Sequence, residues 1–180
     1  MLDKEIVKIK VTGDFACFTR PDLKVERMTY PCMTPSAARG VLDSILWKPE
    51  FQWYVRRIVV LKPVKFFSIM RNEIKMKQGI SPIIVEDART QRNGIVLRDV
   101  SYIIEASVYQ HNLTEKNHPK KYVEMFRRRV KKGQCYRRPF LGTREFAAEF
   151  MEPVGSEQPL IETIPIVSML FDIFFDEKGT

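Results

Sequence analysis

Val7, Ile9 and Val11 alternate with Lys8 and Lys10, a period of two that predicts a half-buried strand ended by Gly13-Asp14. Thr34-Pro35 is a helix start, Thr as the cap and Pro at the first helical position. Ala38, Val41, Leu42 and Ile45 follow at helical spacing until Lys48-Pro49 stops the run. Trp53 to Leu61 is rich in Val, Ile and aromatics and predicts a second strand ended by Pro63, with Val64 to Ile69 continuing the sheet. Arg71 to Gly94 is polar and broken by Gly79, Pro82 and Asn93-Gly94, which predicts a long loop or loose hairpin. In a third strand region, Val96 to Tyr109, residues Tyr102, Ile104, Ala106 and Val108 share one face. Asn112 to His118 is a polar connection. Pro119 opens a second helix with Tyr122, Met125, Phe126 and Val130 as its apolar stripe and Gly133 as its stop. Phe146, Ala148 and Phe150 alternate as a fourth strand. Pro153 to Thr163 is a linker, and Ile164 to Phe175 a last strand or strand pair.

The order strand, helix, strand, strand, helix, strand predicts an α+β, ferredoxin-like (RRM-like, βαββαβ) core. Such a plan puts two helices on one sheet face and leaves the other free, a surface that RNA-binding modules use. The expected domain spans residues 1–152, with 153–180 as a linker and the start of a C-terminal β-subdomain.

Composition narrows the class. The 180 residues are 44% hydrophobic, which excludes a disordered chain. Three scattered cysteines, Cys17, Cys32 and Cys135, make neither a disulfide framework nor, with only His111 and His118, a zinc site. The start is charged from Asp3, and the apolar stretch 164–175 is interrupted by Pro165, Ser168 and Asp172. The compartment expected is a reducing cytoplasm. The net charge of +8 is local: ten Lys and Arg lie between Lys116 and Arg138 against the single acid Glu124, so that window carries +9 and the rest −1. Arg127, Arg128 and Lys131 fall on the exposed side of the second helix, with Lys116, Lys132, Arg137 and Arg138 around it. A field of that sign attracts phosphates; a solubilising face is the alternative. Tyr136, among arginines, can stack on a base. Trp47 and Trp53 read as core or hinge packing.

The sequence has no Gly-rich phosphate loop, no HExxH and no G-x-S-x-G. Its candidate reactive cluster is His118-Pro119-Lys120-Lys121, at the start of the basic helix, where free N–H groups bind anions. Lys120 and Lys121 can neutralise charge developing on phosphorus oxygens. His118, or a lysine with a depressed pKa, can take a proton from a ribose 2′-hydroxyl. Together they would permit RNA cleavage without a metal; plain phosphate binding without catalysis is the alternative.

Several strings resemble one family. They are Gly13-Asp14-Phe15-Ala16-Cys17-Phe18-Thr19, Thr34 to Gly40, Trp47-Lys48-Pro49, Arg71-Asn72-Glu73, Gln91-Arg92, Leu97-Arg98-Asp99-Val100, Met125 to Arg129, Lys132 to Cys135 and Phe140 to Glu145. In order from about residue 5 to residue 152, they resemble the CRISPR-associated "Cas five" proteins of the d subtype. The resemblance implies an RNA-recognition core of the repeat-associated mysterious protein superfamily. It implies a metal-independent endoribonuclease that cuts precursor CRISPR RNA within the repeat stem-loop, leaves a cyclic phosphate and needs no cofactor. It further implies that the protein stays on the mature guide beside the backbone and large subunits of the interference complex, meeting target DNA only through that complex. Arg39, in the Thr34 to Gly40 string, joins the expected RNA-binding residues.

Catalytic residues carry over in part. The family's catalytic tyrosine falls on Leu46, and its Lys-His pair on Lys120-Lys121, with His118 upstream as a substitute base. A catalytically inactive subunit that grips the guide's 5′ end is the second reading, and a basic surface for an acidic protein or membrane the third. Family members continue into a small carboxy-terminal β-sheet, of which only a truncated beginning is expected here.

Overall fold

The computed structural model describes residues 5–23, 25–77, 79–110, 118–166, 168–169 and 171. Its elements are β1 (Ile6–Ala16), α1 (Pro35–Ile45), β2 (Gln52–Val60), β3 (Phe66–Ile74), α2 (Val85–Ala88), β4 (Arg89–Tyr109), α3 (Pro119–Lys131) and β5 (Glu149–Met151). The sheet is antiparallel in the order β2-β4-β1-β5, with β3 also paired to β4. With β3 and α2 set aside as an insertion, this is the ferredoxin-like order. Its two central strands come from opposite halves of the chain.

Alternation decides which sheet face is covered. Val7, Ile9 and Val11 of β1 and Tyr102, Ile104 and Ala106 of β4 point one way and are almost completely buried. Against them lie Ala38, Val41, Leu42 and Ile45 of α1 and Tyr122, Val123, Phe126 and Val130 of α3. Met125 is only partly buried, and Val123 takes its place in the α3 stripe. Phe51, Trp53, Tyr122 and Phe126 link the sheet to α3, with ring centroids 5.1, 4.6 and 4.8 Å apart for the pairs Phe51–Trp53, Phe51–Tyr122 and Trp53–Phe126. Such pairs contribute about 0.5–1.5 kcal/mol each beyond area burial.

Both long helices start as their sequence predicts. Thr34 caps α1 through its side chain, accepting from Ala37 N at 3.2 Å, and Pro35 occupies the first position. α1 ends at Ile45, three residues before Lys48-Pro49, because extended Leu46 turns its side chain into the core. Gly133 takes the left-handed conformation (φ 63°) just past α3.

The strands depart from expectation where glycines read as breakers. β1 runs through Gly13-Asp14 to Ala16. A Cβ at Gly13 would lie 2.5 Å from the Leu141 side chain, so this glycine marks a close approach instead of a stop. The region 71–94 is not a loop: β3 extends to Ile74, α2 follows, and β4 begins at Arg89, seven residues before Val96. β3 and the first half of β4 form an arm whose register runs from Phe66↔Leu97 to Ile74↔Arg89. Asp99 sits where β4 changes partner from β3 to β2, with a positive φ of 55°. Lys62 and Lys65, from the β2–β3 turn, pair with its carboxylate at 2.5 and 3.5 Å and lower its pKa. The fourth strand shrinks to Glu149–Met151, with Ala147 making only an isolated bridge to Phe140. Among the described residues between 164 and 171 there is no strand; the rest of that prediction, and all of Asn112 to Asn117, lie outside the described residues.

The second sheet face is not left wholly free. After β5 at one edge the chain returns to β2 on the far side, where Leu160 N donates to Val60 O at 2.8 Å. Its crossing is fixed by Glu157, whose carboxylate accepts from Val154 N and Gly155 N at 2.9 and 2.8 Å and pairs with Lys10 at 3.4 Å. Lys10 points away from the helices, so the predicted linker is a strap over the open face. Those two N–H donors bring the Glu157 pKa down to about 2. A carboxylate with a depressed folded pKa stabilises above its unfolded value and loses that contribution as pH falls through the folded one. Amide-exchange protection at Val154 and Gly155 is therefore expected to hold near neutrality and to fade from about pH 4.5 toward pH 2. Glu157→Gln should reduce it already at pH 7. Next to the strap, Glu105 lies between Arg57 (2.7 Å) and Lys8 (2.9 Å), its pKa lowered first by Arg57.

Candidate nucleic-acid interface

α3 organises the cations because its apolar stripe fixes its rotation. With Tyr122, Val123, Phe126 and Val130 buried, residues 120, 121, 127, 128, 131 and 132 face outward. The helix is 13 residues long, so its two ends are about 20 Å apart. The predicted site residues divide between them.

At the N-terminal end, His118 is the cap: its Nδ1 accepts from Lys120 N at 3.2 Å. Nδ1 also lies 3.9 Å from a Glu5 carboxylate oxygen, a contact that is an ion pair only when the imidazole is protonated. In the neutral ring that caps the helix, the lone pair needed to accept a proton is already engaged. Lys120 and Lys121 are exposed in the first turn, which contains no acid. Lys121 Nζ lies 5.5 Å from the centre of the Tyr122 ring. The Tyr122 phenol has a raised pKa, chiefly from burial and then from Glu50. Lys116 lies outside the described residues.

At the other end, Arg128, Lys131 and Lys132 are exposed, and among the described residues none of them is ion-paired. Arg127 and Arg129 donate to backbone carbonyls, of Ile6 at 3.1 Å and Ile45 at 2.5 Å. The chain then turns back against the C-terminus of α1. Tyr136 N and Arg137 N both donate to Ser44 O, at 2.8 and 3.2 Å, and Arg137 Nε reaches Ser44 Oγ at 3.3 Å. Tyr136 is 83% exposed.

Two predicted residues stand apart from this group. Arg138 pairs with Glu149 at 2.6 Å, and Arg39 faces Asp43 at 4.0 Å beside Gln52 and Tyr54 of β2. Leu46, on which the resemblance is expected to place the catalytic tyrosine, is fully buried, its carbonyl accepting from Trp53 Nε1 at 2.9 Å. Trp53 is core, as expected; Trp47 is not, with 60% of its surface exposed. The stripe Ala38, Val41, Leu42, Ile45 does not reach position 47, and extended Leu46 points inward, so its successor points out.

The helix macrodipole separates the two ends. Arg128, Arg129 and Lys131 sit at the negative C-terminus of α3, where cations are stabilised whether or not a ligand is present. Lys120 and Lys121 sit at the positive end, where cations oppose the dipole and the first-turn N–H groups favour a bound anion. Among the described residues no cluster of three His, Cys, Asp or Glu side chains could hold a metal ion, and no helix is long and apolar enough to cross a membrane.

A β5-β1-β4-β2 sheet under one strongly basic helix defines the class: a ferredoxin-like protein with a cationic helix face. The family model for CRISPR-associated protein (Cas_Cas5), subtype d, matches residues 6–166. A CRISPR pre-crRNA endoribonuclease Cas5d from Thermus thermophilus is 48% identical over 171 residues, covering 95% of this chain and 74% of that protein. A second, from Mannheimia succiniciproducens, is 43% identical, covering 80% and 71%. The crystal structure of a CRISPR-associated protein superposes with a TM-score of 0.60 at 25% identity, covering 82% of this chain and 66% of its own. A functionally uncharacterized protein from Streptococcus mutans gives 0.56 at 25%, covering 83% and 67%. The chain belongs to the Cas5d family.

Proposed function

We propose that this protein binds the repeat of precursor CRISPR RNA and cleaves it without a metal, then remains on the guide as a subunit of an interference complex. The observation that carries this reading is the pair Lys120 and Lys121 at the positive end of α3, in a family whose two relatives above bear the name pre-crRNA endoribonuclease. In the proposed step a ribose 2′-oxygen attacks the adjacent phosphorus and its proton passes to a base. The bond to the 5′-oxygen of the next nucleotide breaks and that oxygen takes up a proton, from the protonated base or from water, leaving a 2′,3′-cyclic phosphate and a 5′-hydroxyl. The lysine ammonium groups and the first-turn N–H groups would stabilise the charge on the phosphoryl oxygens. His118 can serve as the base only by releasing Lys120 N.

A second reading is favoured by Leu46, an aliphatic side chain with no hydroxyl where the resemblance would put the catalytic tyrosine: a subunit that holds the 5′ handle and does not cut. The experiment that separates them incubates the protein with repeat RNA in EDTA. Cleavage with a cyclic-phosphate end supports the first reading; tight binding with no cleavage supports the second. The basic surface itself is tested by replacing Arg128, Lys131 and Lys132 with Ala. If each contacts a phosphate, the slope of log affinity against log salt should flatten by about 2 to 3.

A further inference from the structure

We infer that Trp47 and Tyr136 form a stacking site for unpaired nucleotides next to the C-terminus of α1, a part of the RNA surface distinct from the Lys120–Lys121 end. The inference rests on the RNA-binding reading above and adds what this end of the surface recognises.

Both rings are held out into solvent by the same short piece of chain. Tyr136 N and Arg137 N converge on Ser44 O, and Trp47 follows Ser44 by three residues, a reach of at most about 10 Å. Neither ring is idle packing: Trp47 is 60% exposed and Tyr136 83%. Indole and phenol rings left this open forgo burial that most tryptophans obtain.

Their charged surroundings select the ligand. Arg129 reaches Ile45 O, Arg137 reaches Ser44 Oγ, and Lys48 adjoins Trp47. Among the described residues, none of these three cations is ion-paired; Glu50, two residues beyond Lys48, lies near Tyr122. Exposed aromatics set among unpaired cations suit a ligand with flat apolar faces and a polyanionic backbone. Single-stranded RNA has both, whereas bases stacked inside an A-form helix have their faces covered. The occupant is therefore a single-stranded stretch of the bound RNA, leaving the duplex stem to other contacts.

Intrinsic fluorescence reads this directly, since the protein has only two tryptophans and Trp53 is buried. Full-length protein is titrated with a single-stranded RNA oligonucleotide and, separately, with a blunt duplex of equal length. The single strand should quench the emission of Trp47, and the duplex should not. Trp47→Ala should weaken single-strand binding about 5- to 100-fold, with the salt slope unchanged because no ion contact is lost; Trp47→Phe should restore most of it. Tyr136→Ala should act in the same direction. As Trp47 is exposed, a circular dichroism spectrum matching the wild type is expected and shows that the variant folds. If Trp47→Ala leaves affinity unchanged while the Arg128, Lys131 and Lys132 variant loses it, the stacking site is refuted and RNA binding stands. Equal quenching by duplex also refutes it. If wild-type protein binds neither RNA, both this inference and the reading beneath it fall.

Discussion

Replacing Lys120 and Lys121 together by Ala is expected to lower cleavage of repeat RNA in EDTA by at least about 100-fold, the scale of losing a charge-stabilising donor at a reacting oxyanion. Affinity should change much less, since Arg128, Lys131 and Lys132 at the far end of α3 remain. Electrostatics give the reason: two ammonium groups at the positive end of a helix oppose its dipole, and a phosphodiester there relieves both. Cleavage unchanged by the double substitution, measured in single-turnover conditions, would remove the lysines from the chemistry. His118→Asn sharpens the test because Asn keeps a capping oxygen and removes the imidazole. If His118 acts only as the cap that orders the two lysines, this variant retains activity. If it is the base, it does not.

Gly142→Ala should destabilise the fold by about 3–5 kcal/mol, equivalent to a fall in Tm of roughly 10 °C for a chain of this size. Gly142 has φ +85°, and a Cβ there would lie 2.0 Å from Cys17 O and 2.6 Å from Cys17 C. Neither obstacle is the end of a flexible side chain, so β1 or the 140–145 loop must give way. The neighbouring bond, Cys17 N to Leu141 O at 3.0 Å, should go with it. Thermal unfolding checks this; an unchanged Tm would mean the loop can move off β1 at little cost.

The same corner explains which parts of the molecule were readable beforehand. α1 and α3 carry their start signals, Thr34-Pro35 and Pro119, and an apolar stripe each. β1 and the second half of β4 alternate because one face is buried. β3 carries a signal only at its start, where Val64 to Ile69 reads as continuing the sheet; beyond it the polar run Arg71-Asn72-Glu73 has no apolar alternation, and pairing with β4, not an apolar face, extends the strand to Ile74. Gly94 reads as a turn residue, yet it lies within β4 because Arg27 O and the Arg71 guanidinium press close to it, 3.3 and 3.4 Å from where a Cβ would be. The family-like strings at 13–19, 71–73, 91–92 and 140–145 are remote in sequence. In the fold Leu141 packs on Gly13, Arg71 pairs with Glu145, and Arg92 pairs with Glu73. Much of the resemblance thus records architecture. In the reactive cluster, proximity of His118 to the lysines was legible, but the use of its Nδ1 as a cap was not, since only the helix geometry determines it. Trp47 was missed because tryptophan carries a prior for burial that the inward turn of Leu46 overrides.

The continuity of β4 has a mechanical corollary. Its 21 residues have a contour length of about 70 Å at the usual rise, and one unbroken backbone serves both the body and the arm. Asp99 divides that rod, leaving about 33 Å between itself and the far end at Arg89. A pivot of about 5° at Asp99 then sweeps the far end through roughly 3 Å, comparable to the rise of one strand residue. The ion pairs from Lys62 and Lys65 tie the β2–β3 turn to β4 at that same point, so turn and arm would shift together.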